Sequence, residues 1–455
     1  MLPFNLIRKD RWPLYAAILV LLIFTVLLGL HALDSTDGIF SLPNDEAYLQ
    51  LTMARSLAFR QVWGIGHHDF VSIYPSLLYP LGLAAVFLIF GAHLVLAPIA
   101  NFVLATILLT KMQHWLAKKL VSPPTQLFIM LAVIILSPLP VMIIYGLEAT
   151  LLLLMAFLFI SRLVDEWQLP EFSRRTLVFG ALMVAARYDG AWLIGVVCLL
   201  LLWRRQWLGA FELVIWCLLP ALAFGFLSLY KGSFFLPNTF ITGSATFLLS
   251  YDWLVGCGIA VTIPLLQGYF ARLPQKKGRF IPALPAVFIA LVLLTTNLYA
   301  VQALDQSRLA TYKMNDAVAR FARLYYYKYG ITSDDIGMIS FFTDANYVDL
   351  SGVASTRIAR IKTSRYFNTG LIRRLSDDAG VKLAVISSQY DKGLPDNWVR
   401  MASWNIAGRE AWTFYCTDTF SISYFKWNMN DYARTLYPDI KVNYFYTQGP
   451  EKKTP

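Results

Sequence analysis

Two adjacent carboxylates, Asp45 and Glu46, follow the first long apolar run of the chain and are the first candidates for chemistry. Near a membrane surface, partial desolvation raises the pKa of a carboxyl group and lets it act as a general base. A structural role is the alternative, because acidic residues in the first turn of a helix interact favourably with its macrodipole. Both interpretations predict that a helix begins here.

Three further ionisable residues, Glu148, Arg187 and Asp189, lie inside or beside apolar segments. Burying such groups in a membrane is costly unless they pair with one another or face a cavity. We therefore predict a functional site around them. The alternative is an Arg187–Asp189 ion pair that only closes a helical hairpin.

Weaker candidates lie in two other connections. Lys231, followed by Asn238, places a cation and an amide where a lipid phosphate would lie, although snorkelling of the lysine explains the cation equally well. His67, His68 and Asp69 could ligate a metal, but no further ligands follow at a recognised spacing, so we predict no metal site. Phosphate-cradling glycine loops, nucleophile elbows and paired cysteine motifs are absent from the sequence, which argues against a nucleotide-binding domain.

The composition shows which elements position these residues. Of 455 residues, 57% are hydrophobic, 15% are charged, and the mean hydropathy is +0.53. Residues 1–301 contain 19 Lys or Arg and 13 Asp or Glu, whereas the shorter segment 302–455 contains 20 and 15. This imbalance predicts a transmembrane domain over 1–301 and a polar domain over 302–455, and it excludes a soluble enzyme, a fibrous protein and a disulfide scaffold.

The topology follows from the apolar runs and their flanking charges. Arg8, Lys9 and Arg11 precede the run from Trp12 to about Leu33, which predicts a retained signal anchor with a cytoplasmic N-terminus. Later apolar runs lie near 76–91, 94–112, 124–144, 148–163, 176–203, 208–229, 253–271 and 281–301. We predict roughly nine to eleven spans, with one partial or re-entrant helix between 76 and 147 and a helical hairpin within 176–203.

Basic clusters orient these spans. We place the clusters at 174–175, 204–205 and 276–279 in the cytoplasm. The connections 34–75, 187–190 and 230–252 and the tail from 302 then lie outside it. The net charge of +11 is explained largely by such clusters, so nucleic acid is not an expected partner.

The tail shows alternating strand and helix patterns. Strands are predicted at 336–342, 347–350 and 381–386, and helices at 311–328 and 369–378. This alternation indicates a small α/β domain.

Taken in order, short motifs in this chain resemble those of the GT-C superfamily of membrane glycosyltransferases, which use polyprenyl-phosphate sugars. The matching segments are Asp45-Glu46-Ala47-Tyr48, Ala54-Arg55-Ser56-Leu57-Ala58, Gly64-Ile65-Gly66, Tyr74-Pro75-Ser76-Leu77, Gly146-Leu147-Glu148-Ala149, Arg187-Tyr188-Asp189-Gly190, Leu236-Pro237-Asn238-Thr239, Asp335-Ile336-Gly337 and Val348-Asp349-Leu350-Ser351-Gly352. The closest branch is that of the bacterial arabinofuranosyltransferases, comprising the mycobacterial terminal arabinosyltransferase group and the enzyme that arabinosylates type IV pilin. Tyr188 and Glu46 depart from that pattern, which leaves mannose or glucose as alternative sugars.

The resemblance implies an inverting transfer to a glycan or pilin acceptor, on the periplasmic side of a bacterial inner membrane. It makes Asp45 the base, with Glu46 supporting Asp45 or orienting the acceptor. It assigns the donor phosphate to Arg187, Lys231 and Arg55. The substrate-binding residues it implies are Tyr48, His67, His68, Tyr74, Glu148, Asp189 and Asn238. No divalent metal or other cofactor is required, because a lipid monophosphate has no diphosphate to clamp.

Two interpretations compete with this one. A transporter or lipid flippase would use Glu148, Arg187 and Asp189 to line a path, although inverted repeats are not visible in the sequence. A non-catalytic scaffold of an envelope complex is the third. Tolerance of substitution at Asp45 separates the scaffold from the transferase.

Overall fold

The computed structural model describes residues 11–35, 38–67, 69–167, 169, 171–242, 308–364, 368–387, 393–406 and 412–445. These residues are mostly helical, and the C-terminal part forms a small α/β domain. The chain divides into two compact units, one of residues 1–42, 75–227 and 246–304, and one of residues 43–74, 228–245 and 305–455. The predicted boundary lies between 301 and 302, whereas the second unit also contains most of the first connection and residues 228–245.

Helices dominate the described residues before position 243. In chain order they are α1 (Trp12–Ser35), α2 (Asp45–Arg60), α3 (Leu78–Phe90), α4 (Leu96–Lys118), α5 (Pro123–Leu136), α6 (Leu139–Tyr145), α7 (Ala149–Glu166), α8 (Arg174–Ala186), α9 (Gly190–Trp203), α10 (Trp207–Tyr230) and α11 (Asn238–Ile241).

Three of these helices, α1, α4 and α10, are long and apolar enough to cross a membrane. The pair α5 and α6 is bent by 47° and counts as a fourth span if it crosses as one. This bent pair lies in the region for which a partial or re-entrant helix is predicted. Helices α3 and α9 are apolar but shorter. The predicted runs 253–271 and 281–301 and the basic groups at 8–9 and 276–279 lie outside the described residues, so the count of nine to eleven spans remains a prediction.

The hairpin predicted within 176–203 is present as α8 and α9. Helix α8 ends at Ala186 and α9 begins at Gly190, which packs so closely on the carbonyl of Met183 that an added Cβ would lie 3.0 Å from its oxygen. The amide of Tyr188 donates to the carbonyl of Pro75 at 2.9 Å, which ties the break to the segment before α3. A larger residue at position 190 would therefore have to displace the backbone of α8 slightly.

The C-terminal domain contains the remaining elements. They are α12 (Arg308–Tyr325), β1 (Gly330–Ser333), α13 (Gly337–Phe342), β2 (Tyr347–Asp349), α14 (Thr356–Thr363), α15 (Thr369–Asp378), β3 (Val381–Ser387), β4 (Val399–Ile406), β5 (Trp412–Cys416), α16 (Ile422–Tyr432) and β6 (Ile440–Tyr444). The sheet order is β2-β1-β3-β5-β4-β6, in which β1 runs parallel to β2 and β3 and the other neighbours are antiparallel.

Most of the predicted elements of the tail are confirmed, and one is wrong. Helices near 311–328 and 369–378 and strands near 347–350 and 381–386 occur as α12, α15, β2 and β3. The segment 336–342 is the helix α13 instead of a strand. A short apolar run is compatible with either state, and here contacts made by α2 to both ends of the segment favour the helix.

The core of this domain is aromatic. Phe321 of α12 lies 5.8 Å from Trp404 and 5.7 Å from Phe414, measured between ring centroids, and all three side chains are fully buried. Trp404 and Phe414 come from neighbouring antiparallel strands. The packing of these rings fixes α12 against the sheet. It thereby also fixes the position of Asn315, which α12 carries.

Candidate functional site

Asp45 caps a helix that lies almost 300 residues further along the chain. Its Oδ2 atom accepts the N–H of Gly337 at 2.9 Å, and its Oδ1 atom accepts the N–H of Met338 at 2.8 Å. These are the first two amides of α13, which no carbonyl within the helix can reach. Asp45 itself begins α2, where Asn44 accepts the N–H of Glu46 at 3.0 Å. The predicted helix start is therefore present, together with a long-range structural role for Asp45.

Arg55 binds the other end of α13. Its guanidinium donates to the carbonyl oxygens of Phe341 at 2.6 Å, Ser340 at 3.0 Å and Thr343 at 3.1 Å. Between the two ends, Thr52 is hydrogen-bonded to Ser340 at 3.0 Å. Helix α2 thus places an anion at the start of α13 and a cation at its end, as the macrodipole favours. Three carbonyl groups occupy the Arg55 side chain, which argues against its predicted role at a phosphate.

The predicted role and the observed one can be separated by substitution of Arg55. Arg55→Met is expected to destabilise the protein by about 2–3 kcal/mol, because charged hydrogen bonds to carbonyls are lost. Arg55→Lys should have an intermediate effect, since it keeps the charge but not the planar fork. Denaturant unfolding in detergent measures both. A raised donor KM with unchanged stability would instead support a phosphate-binding role.

Gly337 is the point of closest approach between α2 and α13. A Cβ at this position would overlap the carboxylate of Asp45. Gly337→Ala is therefore expected to push Asp45 off the two amides and to cost about 1–3 kcal/mol through overpacking. Thermal unfolding checks the loss, with Gly370→Ala as the matched control because a Cβ there meets only the Asn368 side chain at 3.5 Å. Equal stability of the two variants would contradict the observed contact.

The carboxyl group of Asp45 also lies within hydrogen-bonding reach of the carboxyl group of Asp335, which follows β1. The amide of Asn315, on α12, donates to Asp335 at 3.2 Å. Burial raises the pKa of Asp45 above its usual value, although the bonds from Asp335 and the two amides oppose the shift. Burial and the nearby charge of Asp45 raise the pKa of Asp335 further.

This carboxyl pair lies at a distinctive place in the sheet. β1 and β3 are neighbours in the sheet, and the chain leaves β1 towards β2 on one side but leaves β3 towards β4 on the other, so the connections diverge between these two strands. In parallel sheets, ligands commonly bind outside the carboxyl ends of the strands at such a point. Asp334 follows β1 and links the ends of β1 and β3, because its carboxylate accepts the N–H of Ser387, the last residue of β3, at 2.9 Å. The carboxyl groups of Asp45, Asp334 and Asp335 therefore lie near this edge.

A second cluster of ionisable side chains, formed by Glu148, Arg187 and Asp189, lies in the first unit. Arg187 forms ion pairs with Asp189 at 2.7 Å and with Glu148 at 3.4 Å. Glu148 is 3% exposed and Asp189 is 4% exposed, and the Asp189 Oδ1 atom has no hydrogen-bond partner among the described residues. The two acids outnumber the one cation, so this triad is poorly suited to attract a phosphate.

The backbone around Glu148 is held by polar side chains of α3 and α4. The Tyr79 hydroxyl donates to the carbonyl of Gly146 at 2.7 Å, and the Asn101 amide donates to the carbonyl of Leu147 at 2.9 Å. Gly146 has φ +67°, a left-handed conformation that suits glycine and ends α6. The predicted grouping of Glu148, Arg187 and Asp189 is therefore present, and its position is set by surrounding helices.

Two other predicted substrate residues have mainly structural contacts. Tyr48 is fully buried and packs edge-on against Phe341, with ring centroids 6.2 Å apart. Tyr74 belongs to a hydrophobic cluster with Met53 and Ile336. Both side chains help to hold α2 on the α/β domain.

Asn238 also has structural contacts, which hold the segment from 228 to 242 in place. Its N–H donates to the carbonyl of Ser72 at 2.7 Å, and its side-chain amide reaches the carbonyl of Gly352 at 3.5 Å. Thr239 follows with a bond from its hydroxyl to the carbonyl of Ile73 at 3.0 Å. The segment therefore joins the first connection to the loop after β2.

The remaining predicted residues vary in exposure. His67 Nε2 lies 3.5 Å from Asp344, which also pairs with Arg60. Lys231 and Glu46 are exposed, and His68 lies outside the described residues. Among the described residues, no group of three or more His, Cys, Asp or Glu side chains could hold a metal ion.

Three contributors were missed as site residues by sequence reasoning. Asp335 and Gly337 were recognised only as parts of a short motif, and Asn315 was not singled out. The adjacent acids Asp334 and Asp335 directly follow β1, a strand that the sequence analysis did not predict. Carboxylates in that position indicate a site at the strand's carboxyl end.

Comparison with known proteins gives one match. Residues 301–418 match a family described as a domain of unknown function (DUF8728). No curated protein and no solved structure matches the chain. The matched range includes Asn315, Asp335 and Gly337 but not Asp45.

Proposed function

We propose that this protein is an inverting membrane glycosyltransferase that moves a sugar from a polyprenyl-phosphate lipid to an acceptor outside the cytoplasm. The observation that supports this proposal best is the setting of Asp45. Its carboxylate accepts two backbone N–H groups and lies close to Asp335 at the switch point between the parallel strands β1 and β3. A fixed carboxylate with a raised pKa suits a general base.

The reaction needs two kinds of protein group. The acceptor hydroxyl oxygen attacks the anomeric carbon, the bond from that carbon to the phosphate oxygen breaks, and the hydroxyl proton passes to Asp45. Negative charge then develops on the departing phosphate, and a cation stabilises it. Of the three cations named by the resemblance, we give this role to Lys231, because it is exposed while carbonyls hold Arg55 and carboxylates hold Arg187.

The resemblance also suggests the substrates. Arabinofuranose is the sugar we propose, with mannose and glucose as alternatives that would use the same layout. The acceptor is a pilin, a cell-wall glycan or a lipid-linked glycan. Helices α1, α4 and α10 would keep the protein in a bacterial inner membrane, where it meets the lipid donor, and the α/β domain would lie in the periplasm. A divalent ion is not needed for a monophosphate leaving group.

A direct assay tests the proposal. Purified protein is incubated with synthetic polyprenyl-phosphate arabinofuranose and a candidate acceptor, and mass spectrometry follows the product. A pentose increment with wild type but not with Asp45→Asn supports the reaction class, the donor and the base together. Transfer of a hexose alone would change the sugar assignment. No transfer from any lipid-linked sugar would overturn the proposal.

The buried triad favours a second candidate, a transporter or lipid flippase. Glu148, Arg187 and Asp189 are paired in an apolar helical unit, and one oxygen of Asp189 lacks a partner among the described residues. Groups of this kind often mark a substrate path in membranes. Reconstituted vesicles containing a fluorescent polyprenyl phosphate would show movement between leaflets. Such movement without sugar transfer would replace the transferase by the transporter.

A further inference from the structure

The carboxyl groups of Asp45 and Asp335 lie within hydrogen-bonding reach of each other, and two negative charges so close together repel, so the pair shares a proton. An ionised carboxylate can only accept hydrogen bonds, so one member of the Asp45–Asp335 pair must carry an O–H. The pair therefore holds one negative charge and one proton between its two groups. The question that bears on function is which residue holds the proton.

The partners of each residue answer it. Asp45 accepts two backbone N–H groups, both of which favour its charged form. Among the described residues, the Asp335 side chain accepts one hydrogen bond, from the amide of Asn315 at 3.2 Å. The negative charge therefore resides on Asp45 and the proton on Asp335. The pKa directions agree, because the pKa of Asp335 is raised well above its usual value by burial and by the charge of Asp45.

In the part of the chain that the structure describes, the other charged groups beside the pair are acidic. Glu46, the next residue on α2, raises the pKa of Asp45, and Asp334 lies beside Asp335 in the loop after β1. From α12 the contact is the neutral Asn315, and from α13 it is backbone amides. None of these neighbours favours ionisation of both carboxyl groups at once.

We propose that Asp335 is a positioning residue that, as a neutral acid, donates its O–H to Asp45 and holds that carboxylate ready to accept a proton. This inference rests on the proposed function, in which Asp45 is the base. When the acceptor hydroxyl gives its proton to Asp45, the pair holds two protons until one passes to water. A base that must be ionised works only above the pKa of the pair, so activity is lost as the pH falls through it.

Two substitutions of Asp335 test the donor role through the pH profile. Asp335→Ala removes the O–H, so the pKa of Asp45 should rise and the acid limb of kcat/KM should move up by about one pH unit. Asp335→Asn keeps an N–H donor and should leave that limb near its wild-type position. A merely structural Asp335 would instead change the rate or the stability of both variants without moving the limb. That result would overturn the proposal.

Infrared spectroscopy gives a readout that does not depend on activity. The wild type at neutral pH should show the C=O band of a protonated carboxyl group, and Asp335→Asn should lack part of it. Asp377→Asn is the matched control, because that carboxylate is exposed and paired only loosely with Arg373 at 3.8 Å. An unchanged band in Asp335→Asn would overturn the proposal.

The two experiments also separate the inference from the function beneath it. If the wild type has no transferase activity but the C=O band is lost in Asp335→Asn, the shared proton is supported and Asp45 is not a catalytic base. If Asp45→Asn is inactive while Asp335→Ala leaves the acid limb of kcat/KM unmoved, Asp45 stays the base and the donor role of Asp335 is lost.

Discussion

Replacement of Asp45 by Asn is expected to lower sugar transfer by about 10²–10⁴-fold, which is the usual contribution of a general base. The amide cannot take the acceptor proton, and its NH2 group, which only donates, would face one of the two backbone N–H groups of Gly337 and Met338. Single-turnover transfer from a polyprenyl-phosphate sugar measures the chemical step directly. The loss should lie in the rate constant more than in donor affinity.

Stability must be measured beside activity, because Asp45 also caps α13. Gly337→Ala provides the comparison, since it displaces Asp45 while keeping its carboxyl group. If activity follows thermal stability in both variants, Asp45 has a structural role only. If Asp45→Asn is inactive at a temperature where it is fully folded, the base assignment stands. Near wild-type turnover by Asp45→Asn would remove Asp45 from the mechanism.

Replacement of Arg187 by Met is expected to destabilise the protein by about 3–5 kcal/mol, the usual effect of removing one partner of a buried ion pair. Glu148 and Asp189 would remain buried without the cation that pairs with both. Thermal or denaturant unfolding in detergent measures the change. Arg204→Met is the matched control in the same unit, because Arg204 is exposed and donates to one carbonyl, that of Trp167 at 3.1 Å. Its effect should be about 1 kcal/mol or less.

A triple substitution tests the cause of this effect. Changing Glu148 to Gln and Asp189 to Asn together with Arg187→Met removes all three charges, and most of the lost stability should return. A triple variant no more stable than the single one would show that packing, and not charge, explains the loss. If Arg187→Met instead raises donor KM at unchanged stability, the predicted phosphate role of Arg187 would be favoured over the structural one.

The sequence alone determined features that depend on local composition and periodicity. Long apolar runs predicted helices that could cross a membrane, and the charged break at 187–189 predicted two short helices. Alternating patterns in the tail predicted α12, α15, β2 and β3. These features follow from residues close together in the chain, because helix and strand periods are read within one segment.

Only the tertiary structure decided which distant residues meet. Asp45 and Gly337 are separated by almost 300 residues, yet their contact caps α13. This segment was predicted as a strand, and the structure shows a helix. The same packing lets Arg55 donate hydrogen bonds to three backbone carbonyls, and it brings Asp335 close to Asp45. Sequence patterns show which side chains are able to form such contacts. They do not show which partner each takes, because that depends on how elements from separate parts of the chain pack together.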